Sequence, residues 1–184
     1  MKKKLIDIIC KKSFKYSETP VFKLASGNMS HFYVNCKPVT LSPEGAYLVG
    51  HLMFNHLETM DCEAAGGLTF GADPIAVAVS YTSYLKNNPI KAFSIRKAQK
   101  DHGMIKWVEG DIEAGAKVVI LEDVTTTGGS TITAINRARQ AGLEVTGVVT
   151  LVDRQEGGIE NIRNHVSNVS AVITRDDLMS WYRR

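Results

Sequence analysis

The chain has 184 residues, 44% of them hydrophobic, and a formal net charge of +3 at pH 7. That length holds one core and is short for two domains of ~100–200 residues each, so a single domain over residues 1–184 is expected. The apolar runs are brief and broken by charges, none nearing the roughly 18 residues of a membrane span, and so slight a charge gives no general argument for a nucleic-acid binder.

The opening MKKKLIDIICKK begins with basic residues, but its apolar patch is tiny, carries Asp7 and runs into more lysines instead of a cleavage site. It predicts an amphipathic helix over residues 2–12 and a cytoplasmic protein. Cys10, Cys36 and Cys62 are odd in number and form no C-x-x-C pair, which suits reduced thiols and argues against a disulfide framework or a zinc site. FKLASGNMSHFYVNC, residues 22–36, alternates in the manner of a hairpin turning at residues 26–28, within an N-terminal cap of mixed character that reaches about residue 40. PEGAYLVGHLMFNHLE then places Pro43 near the start of a helix, with apolar residues at helical spacing. Its His51 and His56 are five apart, not the four that would turn both rings to one side. A strand around CEAAGG, a helix from about Pro74 to Leu85, a strand IKAFSIR and a long polar loop through residue 110 follow. Next come a strand KVVILEDV, a helix STITAINRARQAG, a strand LEVTGVVTLVD and a final helix in DDLMSWYRR. Val- and Ile-rich strands alternating with helices predict an α/β fold, a mainly parallel sheet flanked by helices on both faces. Ligands of such sheets bind beyond the carboxyl ends of the strands, so the loops that follow strands carry the chemistry.

VVILEDVTTTGGS, residues 118–130, is such a loop. Two acids, Glu122 and Asp123, leave the sheet; Val124, Thr125, Thr126, Thr127, Gly128, Gly129 and Ser130 lead into a helix start. Unpaired N–H groups, the positive end of the helix dipole, close-approaching glycines and hydroxyls together make a phosphate cradle. An ordinary strand-to-helix turn with Ser130 as N-cap accounts for the Gly and Ser equally well, but not for the acids. Two carboxylates beside a phosphate repel it unless something neutral or cationic lies between, and a sugar with vicinal hydroxyls does that. A diphosphate on the same sugar would need a divalent cation, a role that suits Mg²⁺. GGLTFGAD, residues 66–73, has the G-x-x-x-x-G spacing but Ala72 where a phosphate-binding lysine belongs, and no G-x-G-x-x-G follows a strand.

VVILEDVTTTGGS resembles the 5-phosphoribosyl 1-diphosphate (PRPP) signature of the type I phosphoribosyltransferases. RKAQKDHG, residues 96–103, and VDRQEGG, residues 152–158, are similar to the mobile catalytic loop and the orotate-side segment of the orotate phosphoribosyltransferase family, and FKLASGNMSHFYVN to its N-terminal hood. The resemblance covers about residues 20–158. It implies a homodimer with active sites shared between subunits, PRPP and orotate as substrates, no nucleic-acid or membrane partner, and Mg²⁺ carried by the diphosphate, near Glu122 and Asp123, without a dedicated protein ligand set. It further implies that Glu122 and Asp123 hold the ribose and that Thr126, Thr127, Gly128, Gly129 and Ser130, with Val124 and Thr125 beside them, hold the 5-phosphate. Arg96, Lys97, Lys100 and His102 would face the diphosphate, the last two from the neighbouring subunit. Arg154 and Thr126, with backbone near Tyr33 and Val34, would fix the orotate ring.

Cations that meet a departing diphosphate favour the transition state, and a loop that closes over the site keeps water from the oxocarbenium-like ribose, with Gly103 one candidate hinge. The bland alternatives are a solvated loop for RKAQKDHG and a surface ion pair of Arg154 with Asp153. Ala25 and Gly71 stand where many members of the family carry lysine, and Lys23, two residues before Ala25 on one strand face, is the expected substitute. A phosphoribosyltransferase for a purine or another base, or a PRPP-sensing regulatory protein on the same fold, are the alternatives to an orotate enzyme.

Overall fold

The computed structural model describes residues 1–23, 27, 29–98 and 107–183. Helix α1 (Lys2–Lys12) buries Leu5, Ile8, Ile9 and Cys10 on one face and leaves its lysines outward, as its spacing dictates. The hairpin of the cap is shorter than expected. Strand β2 (Phe22–Lys23) pairs antiparallel with β3 (Met29–Ser30), but Phe32–Val34 (β4) turns away and pairs with β1 (Phe14–Tyr16), an element the alternation did not reveal. The expected turn residues other than Gly27, which has φ +87°, lie outside the described residues. A single turn of helix, α2 (Lys37–Thr40), then leads into α3 (Pro43–Leu57), where Ser42 caps Gly45 N–H and Pro43 fits the first turn.

From there strand and helix alternate as the sequence predicts: β5 (Ala64–Leu68), α4 (Asp73–Leu85), β6 (Lys91–Ile95), β8 (Lys117–Thr125), α5 (Gly129–Gln140) and β9 (Glu144–Asp153). Three elements were not foreseen: β7 (Val108–Glu109), inside the long polar loop, and α6 (Gly158–Arg163) and β10 (Val169–Thr174), before α7 (Arg175–Tyr182). The main sheet runs β10-β9-β8-β5-β6-β7, parallel except for β7, which pairs antiparallel at the edge of β6.

Alternation along β8 sorts the core into two layers. Val119 and Leu121 join the layer under α1, α3 and α4, while Val118 and Ile120 join the layer under α5 and α6. The register of β8 on β9 shifts once, between Val118 and Val119, and the carboxyl ends of the two strands finish together, Thr125 beside Asp153.

Candidate active site

The two motifs that follow β8 and β9 interlock. Gly128 has φ +85°, and a Cβ there would lie 2.9 Å from the Gly158 carbonyl oxygen; a Cβ on Gly158 would lie 2.5 Å from both Thr125 Cγ2 and Thr126 O. Neither position admits a side chain without displacing the other motif. Arg154 N–H donates to Thr125 O at 3.0 Å and Asn161 Nδ2 donates to Thr127 O at 3.0 Å, closing the seam. Asn161 and Gly158 thus shape the threonine loop, a role the VDRQEGG segment hinted at only through its glycines.

Helix α5 begins at Gly129 with Gly128 in the cap position and no side-chain cap. Ser130 is therefore not an N-cap, and the simple turn reading fails on that point. Its hydroxyl donates instead to Glu122 Oε2 at 2.6 Å, and the Thr131 hydroxyl reaches the same oxygen at 2.9 Å. Glu122 is 6% exposed, and burial, with Asp123 beside it, pushes its carboxyl up to about 7 against the lowering pull of the Ser130 hydroxyl. Thr125 is buried, its hydroxyl donating to Thr150 Oγ1 at 2.9 Å, and Val124 packs on the core. These two side chains frame the loop, while Thr126, Thr127 and Gly129 remain accessible along it.

Asp123 points the other way, into a cavity of about 240 Å³ lined by Lys23, Tyr33, Val34, Asn35, Lys37, Asp123, Val124, Thr126 and Arg154. Lys23, Tyr33, Val34, Thr126 and Arg154 meet there as expected. Lys37, which no motif singled out, lies with its Nζ 3.7 Å from Asp123 Oδ2. The only signal for it was a cation placed just after a strand of the cap. A Cβ on Gly71 would sit 2.6 Å from Asp123 Oδ1, so the backbone of that loop closes directly over the carboxylate.

Arg154 is 2% exposed and does not pair with Asp153, which accepts from Gln155 N–H instead. Its Nε and Nη2 donate to Glu156 Oε1 at 3.1 and 2.8 Å, Nη2 also donates to Ser30 Oγ at 3.1 Å, and the guanidinium lies 4.2 Å over the Phe32 ring. Nη1 has no partner among the described residues. A guanidinium held on one edge and stacked on one face presents its free donors at a fixed angle, which suits a planar carboxylate-bearing ring.

The sequence of this chain is 48% identical to an Aquifex aeolicus orotate phosphoribosyltransferase over 161 residues, 88% of each chain. The chain belongs to the orotate phosphoribosyltransferase family. A second relative, from Nostoc sp., is 44% identical over 184 residues, all of this chain and 87% of its own. The orotate phosphoribosyltransferase of Mycobacterium tuberculosis in complex with 5-phospho-alpha-D-ribosyl 1-diphosphate (PRPP) superposes with a TM-score of 0.77 at 31% identity, over 96% of this chain and 90% of that one. No protein-family model matches the chain.

Of the charged loop, Arg96 and Lys97 are described; Lys100, His102 and Gly103 lie outside the described residues. Lys97 is exposed, and Arg96 makes a 2.6 Å bond from Nε to Glu109 Oε1. The stems of the loop are joined, since Arg96 N–H donates to Trp107 O at 2.9 Å, Arg137 Nη1 donates to Arg96 O at 2.6 Å, and the Arg137 guanidinium lies 4.2 Å over the Trp107 ring. His51 and His56 go separate ways, to Tyr47 O and to Ser170 Oγ.

Proposed function

We propose that this chain transfers the phosphoribosyl group of PRPP to orotate, giving orotidine 5-phosphate and diphosphate in pyrimidine nucleotide synthesis. The observation that carries this reading is the convergence on one cavity of Asp123, Thr126 and the clamped Arg154, at the carboxyl ends of two adjoining strands of a family member. The 5-phosphate lies at the uncapped start of α5, where helix amides and the Thr126, Thr127 and Ser130 hydroxyls face it. Asp123, and Glu122 once Ser130 turns to the phosphate, take the ribose hydroxyls. Orotate N1 gives up its proton to the departing diphosphate and bonds to C1 as the C1–oxygen bond breaks, that bond's electron pair leaving on the diphosphate. Arg96, released from Glu109, and Lys97, with Lys100 and His102, meet that charge.

Mg²⁺ fits this site as a companion of the diphosphate. Among the described residues no group of three or more His, Cys, Asp or Glu is placed to hold a metal, whereas Asp123 faces the cavity beside where the diphosphate would lie. The ion would neutralise and orient the diphosphate. A homodimer finds support in the exposed stripe Val77, Tyr81 and Tyr84 on α4, 64%, 66% and 73% exposed, at the spacing of one helix face. Free cysteines suit a cytoplasmic location, Cys10 and Cys62 having thiols pushed up by burial to about 12 and about 11.

The test is orotate's ultraviolet absorbance, followed with purified protein, PRPP, Mg²⁺ and a panel of bases. Consumption of orotate alone is expected. Arg154→Ala should lower kcat/KM for orotate by about a hundredfold or more, as loss of a buried charge-assisted pair does. Turnover of a purine in preference to orotate refutes the reading.

A further inference from the structure

Among the described residues, the cavity is lined by one carboxylate, that of Asp123, and three cations, Lys23, Lys37 and Arg154, and each cation stands differently. Arg154 is committed to Glu156, and Lys23 projects from an exposed strand of the cap. Lys37 is the cation paired with the ribose acid itself, Nζ to Oδ2 at 3.7 Å. Its backbone is fixed. Lys37 N–H donates to Asn35 Oδ1 at 3.2 Å, Cys36 and Val39 on either side of the Lys37-Pro38 pair are wholly buried, and Thr40 is 2% exposed. The side chain, 44% exposed, is free to exchange partners.

The stereochemistry of an α-configured ribosyl diphosphate favours that exchange. Its C1 substituent is on the same ring face as the 2- and 3-hydroxyls. A carboxylate that accepts from those hydroxyls is thereby brought close to the diphosphate, and like charges at such distances repel. Gly71 closes over the other side of the Asp123 carboxylate, and a side chain there would have to turn the carboxylate away. Beside Mg²⁺, a protein cation for this juncture is at hand on the cap side, where Lys37 stands.

Resting on the reading of the site as a PRPP site, we infer that Lys37 is a substrate-binding residue for the donor. It neutralises Asp123 before the donor binds, then moves its ammonium onto the diphosphate when the ribose hydroxyls take the Asp123 oxygens. Its pull on the diphosphate grows as the leaving group gains charge. Lys37 thus offers in this chain a cation that Ala25 and Gly71 cannot.

The test compares wild type, Lys37→Gln and Lys37→Arg in full-length protein, with KM for PRPP and orotate, kcat, and the Kd of inorganic pyrophosphate by calorimetry at fixed Mg²⁺. Lys37→Gln should raise the PRPP KM and the pyrophosphate Kd about tenfold each, the size of one lost charge-assisted contact, with the orotate KM changed less than about twofold. Lys37→Arg should restore most of the loss, and thermal melting should be the same in all three. Unchanged PRPP and pyrophosphate constants in Lys37→Gln, or a loss that falls on orotate instead, overturns the inference. Wild type inactive toward PRPP and orotate overturns the reading of the site instead, a separate outcome. If Lys37→Gln melts early, Lys37→Arg decides: native PRPP binding at native melting temperature requires the cation, and weakened binding at that temperature refutes a role satisfied by charge.

Discussion

Glu122 and Asp123 are neighbours in sequence with the same charge, yet the strand turns them to opposite faces and gives them different chemistry. Asp123 opens to the cavity, while Glu122 is buried under two hydroxyls with its carboxyl raised from 4.5 to about 7. Between those two values the folded chain keeps a proton that the unfolded chain has lost. The Glu122 carboxyl therefore weighs increasingly against folding as pH rises from about 4.5 to about 7, and by a constant amount above. Glu122→Gln, which can still accept from Ser130 and Thr131, should gain stability relative to wild type by on the order of 2 kcal/mol between about pH 5 and pH 8. Melting curves across that range check it, and a pH-independent difference counts against the buried carboxyl. The variant should lose turnover most above about pH 7, where the wild-type group is ionised, since a neutral amide holds ribose hydroxyls less strongly than a carboxylate does.

At the scale of elements, the seam between the threonine loop and the start of α6 governs the site. Gly158→Ala places a methyl carbon 2.5 Å from Thr125 Cγ2 and Thr126 O. Overpacking of this kind costs about 1–3 kcal/mol, which urea denaturation should show, and it should raise the PRPP KM by shifting the phosphate loop without touching any ligand. A stable variant with native PRPP affinity would mean that the two motifs move independently. This seam also marks where the sequence stopped being legible. The elements with strong period, α1, α3, α4, α5, β8 and β9, could be read directly, because one buried face sets the spacing. The short ones could not: β1 and β7 are strands of three and two residues that exist only because a partner strand lies alongside, and α2 is four residues set by packing. In the site, the residues on motifs were legible, but Lys37 was not, since its pairing with Asp123 spans 86 positions and depends on how the cap folds over the sheet.

For the whole molecule, the proposed dimer would use both the exposed Val77, Tyr81 and Tyr84 stripe of α4 and the charged loop's expected reach into a neighbour. If a second copy covers that stripe and each subunit lends its loop to the other's cavity, variants broken in different halves of the site can repair one another. Inactive Asp123→Asn and Lys100→Ala proteins, mixed one to one and allowed to exchange subunits, should regain about a quarter of wild-type activity over the whole mixture, because about half the dimers are hybrids and one of the two cavities in each hybrid carries both intact halves. Tyr81→Glu should prevent both the recovery and dimer formation in ultracentrifugation. No recovery from a mixture shown to contain hybrids means that each subunit's site is self-sufficient.

The confinement of Arg154 has an outcome for how quickly the enzyme can work. At 2% exposure its guanidinium gave up its hydration shell when the chain folded, and Glu156, Ser30 and Phe32 replaced it. An arriving orotate meets a donor edge already largely desolvated, on a side chain whose rotamer is already held. The desolvation is met once per folding event, not once per turnover, and recognition of the ring need not slow its capture.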